Sequence, residues 1–221
     1  ARTELVPPAA EMERGIGCAA HRAMQKEISE HALTLVKYKD ADVLPMTPEK
    51  YRRIMIVYVT GLEAKGLGGA MKKLMGGGKN AAESLKEKLE AKGFEVTLYE
   101  SPMDKIQKRI AAGEKVDFNI YFAGKDTIAD FVGAQDLIIT LVDVAGGFQA
   151  VARPGFGMTK GGGEIPWYVF ELPVIVIGCQ QPTILADIPQ ARTYINTYDS
   201  APATLDVLVD ELMAGPEAFK G

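Results

Sequence analysis

The sequence predicts an α/β fold, a three-layer α/β/α sandwich on a mostly parallel, doubly wound sheet of about six strands. Three observations carry that expectation. Apolar runs of strand length at Ile54 to Val59, Leu137 to Val142 and Val174 to Ile177 are continuous rather than alternating, as in strands covered on both faces. Amphipathic helical stretches separate the strands, and strand, helix, strand units of this length make parallel, right-handed crossovers. The chain of 221 residues suffices for one well-buried core but falls short of the roughly 250 residues of an eight-stranded barrel.

Residues 1–18 are polar and contain Pro7 and Pro8, which reads as a linker from a preceding region, leaving 19–221 as a single sandwich domain. From Ala19 to Lys37 the positions His21, Met24, Ile28, His31 and Leu35 recur every three or four residues, the signature of one buried face of a helix. Both histidines fall on that face and are expected to be buried or half-buried. Their spacing corresponds to about 15 Å along a helix, too far for a shared metal or a paired acid and base. Pro45 and Pro48 follow and precede the first apolar strand.

Beyond that strand, Gly61 to Lys79 is rich in glycine. A dinucleotide fingerprint would place Met71 where a small residue must let helix and strand touch. A phosphate loop ending at Gly78-Lys79 would have Asn80 in place of the magnesium-binding hydroxyl and Lys73 in place of its first glycine. The segment therefore reads as an insertion. Asn80 to Lys92 is helical, with Ala81, Leu85 and Leu89 on one face and Gly93 as its stop. Phe94 to Leu98 is a strand, and Ser101-Pro102 opens a helix that runs to Ala112 and stops at Gly113. Asp117 to Phe122 is a strand, Asp126 to Val132 a short helix, and Leu137 to Val142 the next strand.

The loop from Asp143 to Gly163 exceeds the two to six residues usual for such a connection, and long loops in these folds often carry function. A short helix at Ile165 to Glu171 leads into the strand at Val174, then a turn at Gln180, Gln181 and Pro182. Thr193 to Thr197 is the last strand. Leu205, Leu208, Val209 and Leu212 form the buried stripe of the closing helix.

A net charge of −4 with no basic block argues against a nucleic acid partner. No apolar run reaches the roughly 20 residues of a membrane helix, so no membrane partner is expected. The two cysteines, Cys18 and Cys179, form neither a metal knuckle nor a disulfide framework, and no metal or cofactor is expected. The compartment is left unassigned, with the cytoplasm favoured.

Ligands of doubly wound sheets gather at the carboxyl ends of the strands, where this chain offers Glu100, Asp143, Gln180, Gln181 and Asp199. Arg153, in the long loop, adds a guanidinium suited to charged or polyhydroxylated ligands. Each has a plain structural alternative: Asp199 as a helix cap, Asp143 fixing a turn, Arg153 paired to a carboxylate. Cys179 follows a strand, as nucleophiles of some sandwich hydrolases do, but would need a base, and only His21 and His31 could serve.

Three stretches, HALTLVKYKDADVLPM, IPWYVFELPVIVIGCQQPTILADIP and TYINTYDSAPATLDVLVDEL, resemble the C-terminal domain of glycoside hydrolase family 3, of the bacterial β-N-acetylhexosaminidase and β-glucosidase type. Leu44-Pro45-Met46 takes the place of the family's leucine, proline, leucine turn, and Gln181-Pro182 stands where members commonly have Asn-Pro. The resemblance implies an accessory domain that accompanies an N-terminal (β/α)8 catalytic barrel, in cis or as a separate subunit, and shares its glycoside substrate. It also implies retaining hydrolysis of β-N-acetylglucosaminides or β-glucosides by the barrel, whose nucleophile and acid/base motifs have no match here, so no residue of this chain is assigned a catalytic role. Asp143, Arg153, Gln180, Gln181 and Asp199 are the candidate substrate-proximal residues. The alternative is a free-standing, noncatalytic carbohydrate-binding or subunit-interaction module.

Overall fold

A computed structural model describes residues 17–40, 42–61, 79–100, 108–115, 128–144, 153–155 and 167–221, together with Met12 and Gly15. Among these, six strands form one sheet: β1 (Thr34–Tyr38), β2 (Arg53–Thr60), β3 (Glu95–Leu98), β4 (Leu137–Asp143), β5 (Val174–Cys179) and β6 (Thr193–Asn196), in the order β1-β6-β5-β4-β2-β3. Strands β2 to β6 are parallel, and β1 lies antiparallel on β6. Leaving β1 aside, this is the flavodoxin-like doubly wound order, whose switch point falls between β2 and β4.

The continuous apolar runs become the centre of the sheet. In β4 every residue from Leu137 to Val142 is buried, and β5 is buried throughout. Side chains alternate between faces, so one core takes Leu137, Ile139 and Leu141 while the other takes Ile138 and Val142. Helices α2 (Ala81–Ala91) and α4 (Pro202–Ala214) cover the first core with Leu85, Leu89, Leu205, Leu208, Val209 and Leu212. Tyr168, Val169, Ile184 and Ile188 cover the second, with Phe131 of α3 (Ile128–Gly133) packed against it. Each fully buried aliphatic side chain contributes about 1.5–3 kcal/mol, so the two cores dominate stability.

Helix ends follow local chemistry. Asn80 accepts from the Glu83 N–H at 2.9 Å, and Glu83 accepts from the Asn80 N–H at 3.0 Å, a reciprocal capping box. Gly93, at φ +95°, takes the left-handed position just past α2 that a side chain would resist. Pro202 opens α4 at its first position. Lys88 and Lys92 reach from α2 to Asp206 and Asp210 of α4, tying the two helices together.

The N-terminal helix corrects the sequence reading. It spans Ala19–Ala32 rather than continuing to Lys37 and is here α1. Leu33 turns to extended backbone (φ −61°, ψ 119°), and Thr34 to Tyr38 pair with β6 instead. Tertiary pairing with the unsatisfied edge of β6 overrides a helical periodicity that ran on by coincidence. The expected buried face is absent as well: Met24 is 59% and Ile28 60% exposed, and His21 and His31 are exposed. Instead, α1 meets α4 through Ser29, whose hydroxyl lies 3.2 Å from that of Thr204.

The Leu44–Pro45 peptide is cis, and Met46, fully buried after it, donates its N–H to the Leu212 carbonyl at 2.8 Å. The segment expected to be a short helix before β5 forms a 3-10 turn at Trp167–Phe170. Residues 108–111 are helical and Gly113 has φ +75°, matching the end of the helix expected from Ser101. The strand at Asp117 to Phe122, the glycine-rich 62–78 and most of the Asp143 to Gly163 loop lie outside the described residues.

Glu211 on α4 is a buried carboxyl whose Oε2 has no hydrogen-bond partner among the described residues. Burial raises its pKa from 4.5 to about 7; Lys220 opposes the shift and Glu30 adds to it. Below about pH 4.5 both folded and unfolded chains hold the proton, and the group is neutral to stability. As pH rises towards 7, the unfolded chain ionises first, and folding loses stability. Glu211→Gln is therefore expected to raise stability at pH 8 by about 1–2 kcal/mol after allowing for solvent screening, with the gain vanishing near pH 4.5. Thermal melts of both proteins across that range check this; a pH-independent difference contradicts it.

Candidate functional site

The register of the central strands sets Thr60 of β2, Asp143 of β4 and Cys179 of β5 side by side at the carboxyl edge. This is the switch-point edge, where doubly wound sheets bind ligands. The Asp143 carboxylate is held on both oxygens: Tyr58 Oη donates to Oδ2 at 3.1 Å, and Gln180 Nε2 donates to Oδ1. Gln180 reaches it because its backbone, one residue past β5, turns left-handed at φ +67°. That conformation is uncommon for a residue with a Cβ and re-aims the side chain across the strand ends.

Burial, then the Asp143 charge, raise the Tyr58 pKa, so its hydroxyl remains a proton donor at neutral pH. Described residues of the long loop join the same edge. Gly155 donates its N–H to the Thr60 carbonyl at 2.7 Å, and Pro154 bridges to Gly61. Arg153 beside them forms an ion pair with Asp187, just past the 3-10 turn Ile184–Ala186. The Gln181 N–H bonds the Cys179 carbonyl at 2.8 Å, which closes the turn after β5.

Asp199 is used differently. Its Oδ1 accepts the Ala201 N–H at 2.6 Å and its Oδ2 accepts the Thr204 hydroxyl at 2.9 Å, so both oxygens help organise the start of α4. Asp143, Gln180, Gln181 and Arg153 thus gather around the ends of β2, β4 and β5, whereas Asp199 serves the helix after β6. Glu100 pairs with Lys108.

Cys179 is fully buried, and burial pushes its thiol up to about 12; the Thr197 hydroxyl opposes the shift, and the charges of Asp143 and Asp199 add to it. Among the described residues no hydrogen bond joins it to either histidine, both of which are exposed on α1. A thiol held protonated, out of solvent and without a base is not a nucleophile, which removes the cysteine hydrolase reading.

Two site residues escaped sequence reasoning. Tyr58 sits inside an apolar run, and its link to Asp143 depends on the β2 to β4 register. Gly178 faces Tyr194, where an added Cβ would lie 2.1 Å from the phenol oxygen; that hydroxyl in turn donates to Asn196 Oδ1 at 2.8 Å. A glycine just before the turn was the available signal for such a close approach.

The edge presents one oriented carboxylate flanked by a phenol and an amide, suited to accept hydrogen bonds from ligand hydroxyls. Glycoside hydrolysis needs two carboxyl groups, about 5 to 9.5 Å apart across the bond; Asp143 is oriented by side chains of β2 and of the turn after β5, whereas Asp199 is bonded to the start of α4. Among the described residues, no group of three or more His, Cys, Asp or Glu side chains could hold a metal ion, and no helix is long and apolar enough to cross a membrane.

No family model matches the sequence. The β-N-acetylglucosaminidase/β-glucosidase of Cellulomonas fimi is 28% identical over 205 residues, covering 91% of this chain and 31% of that protein. The solved structure of the β-glucoside phosphorylase BglX superposes with a TM-score of 0.70 at 27% identity, covering 100% of this chain and 34% of that one. A glycoside hydrolase family 3 β-N-acetylglucosaminidase from Paenibacillus sp. str. FPU-7 shares the fold, with a TM-score of 0.56 at 12% identity over 98% of this chain and 35% of its own. The chain spans about a third of the length of these relatives. Over nearly its whole length, in sequence and in fold, this chain is similar to about a third of these enzymes, in keeping with its resemblance to the C-terminal domain of glycoside hydrolase family 3.

Proposed function

We propose that the chain is the accessory sandwich of an enzyme that cleaves β-linked glucosides or N-acetylglucosaminides, completing the sugar site of a catalytic barrel rather than performing the chemistry itself. The observation that carries this reading is the one-third coverage of the relatives, joined to a switch-point edge where Tyr58 and Gln180 orient the Asp143 carboxylate. The reaction requires a nucleophile and an acid/base, which the barrel would supply, with retention of configuration. The names of the Cellulomonas fimi relative and of BglX allow either water or phosphate as the acceptor.

In this reading Asp143, fixed by Tyr58 and Gln180, accepts hydroxyl groups of the bound sugar, and the loop carrying Arg153 approaches the same ligand. The barrel lies in cis or is a separate subunit. Tight positioning is what such an edge can add, and misplacement of a substrate by about 1 Å costs on the order of a hundredfold in rate. In a protein carrying barrel and sandwich together, Asp143→Ala and Gln180→Ala are expected to lower kcat/KM for 4-nitrophenyl β-glucoside and β-N-acetylglucosaminide by about tenfold to a hundredfold. Unchanged kinetics in both variants would contradict a role for this edge in the sugar site.

A further inference from the structure

The opposite, amino-terminal edge of the sheet carries a groove of about 630 Å³ that the foregoing reading does not use. Its volume falls within the range of small-molecule sites. Phe170, 72% exposed, stands in its wall next to Glu171; Lys39, Asp40, Asp42 and Arg192 supply its other charged groups, and apolar side chains with Tyr51 complete the lining. Arg192 lies 6.0 Å from the centre of the Phe170 ring, and its Nε donates to Asp40. The guanidinium thus steadies both the ring and one carboxylate, leaving the exposed part of the ring as a platform.

We propose that this groove is a second saccharide-binding subsite, which takes one or two pyranose rings of a neutral β-linked sugar. An exposed aromatic ring offers a surface for the C–H face of a pyranose, burying apolar area that would otherwise stay in water. Around it, carboxylates accept ligand hydroxyl protons, while the lysine and arginine donate to hydroxyl oxygens. Asp42 has no side-chain hydrogen bond or ion pair among the described residues, so its carboxylate is available to such a ligand. The composition also separates this groove from a protein-docking surface, because interface cores are depleted of charged residues and five of the lining residues are charged. The mixture of signs, three acidic and two basic, suits an uncharged polyhydroxylated ligand better than an ion.

The choice of sugar class rests on the proposed function, but the groove lies at the far edge of the sheet from Asp143 and Gln180, so the two can fail independently. The test is a titration of the isotope-labelled full chain with cellobiose and with N,N′-diacetylchitobiose, followed by NMR. Saturable shifts at Phe170, Glu171 and Arg192 are expected, with Phe170→Ala and Asp42→Asn each weakening binding at least tenfold and leaving the thermal midpoint unchanged. Asp143→Ala is expected to leave this binding intact. Absence of saturable shifts with both disaccharides would overturn the proposal. So would binding that survives Phe170→Ala, or a preference for spermidine over both sugars, which would mark a cation site. None of these outcomes bears on whether the Asp143 edge serves a barrel.

Discussion

Leu208→Ala is expected to destabilise the chain by about 2–5 kcal/mol. Leu208 is fully buried on α4, in the core that α2 and α4 close over the β4 and β5 strands. Truncation removes its transfer free energy and leaves a cavity that strands and helix cannot both collapse into, because α4 is fixed at each end. At its start, Asp199 holds Ala201 and Thr204; near its end, Met46 is bonded to the Leu212 carbonyl. Urea unfolding should show a lower midpoint with an unchanged slope. A loss below about 1 kcal/mol would mean that α4 adjusts freely and that the first core is less tightly built than described.

Gly178→Ala is expected to destabilise by about 1–3 kcal/mol or more, and it reports on the site as well as on packing. The added methyl would lie 2.1 Å from Tyr194 Oη and 3.1 Å from Asn196 Oδ1. Relief requires moving the phenol, and with it the Tyr194 to Asn196 hydrogen bond, or bending β5 away from β6. Either movement disturbs the turn that aims Gln180 at Asp143. The compensating pair Gly178→Ala with Tyr194→Phe should recover part of the loss, since the nearest clashing atom is removed. If the double variant is as unstable as the single one, the backbone rather than the phenol sets the constraint.

Much of this fold was legible because its signals were redundant. The runs in β2, β4 and β5 were long, apolar and rich in β-branched residues, and the α4 stripe of Leu205, Leu208, Val209 and Leu212 had a clean helical period. Strand β1 was hidden because Leu35 continued the spacing of Met24 and Ile28, and only the open edge of β6 decides that Thr34 to Tyr38 extend. The histidines were misplaced for the same reason: the apparent face on α1 is exposed, and the helix makes its contact through Ser29.

At the site, strand ends could be located from sequence, which brought out Asp143, Gln180 and Gln181. What binds them could not be, since the Tyr58 bond follows from register and the Gln180 bond from one left-handed residue. Asp199 looked equivalent to Asp143 by position along the chain. The two differ because Asp199 meets backbone and hydroxyl donors at the start of α4, while Asp143 meets side chains from β2 and from the turn after β5.

The central claim is that this sandwich supports a sugar site without performing the chemistry. The most direct measurement is release of 4-nitrophenol from the β-glucoside and the β-N-acetylglucosaminide by the purified chain alone, with and without inorganic phosphate. No turnover above the buffer rate is predicted for either substrate under either condition. Robust turnover that is lost in Asp143→Ala would contradict the account, because it would place a complete catalytic pair within the sandwich.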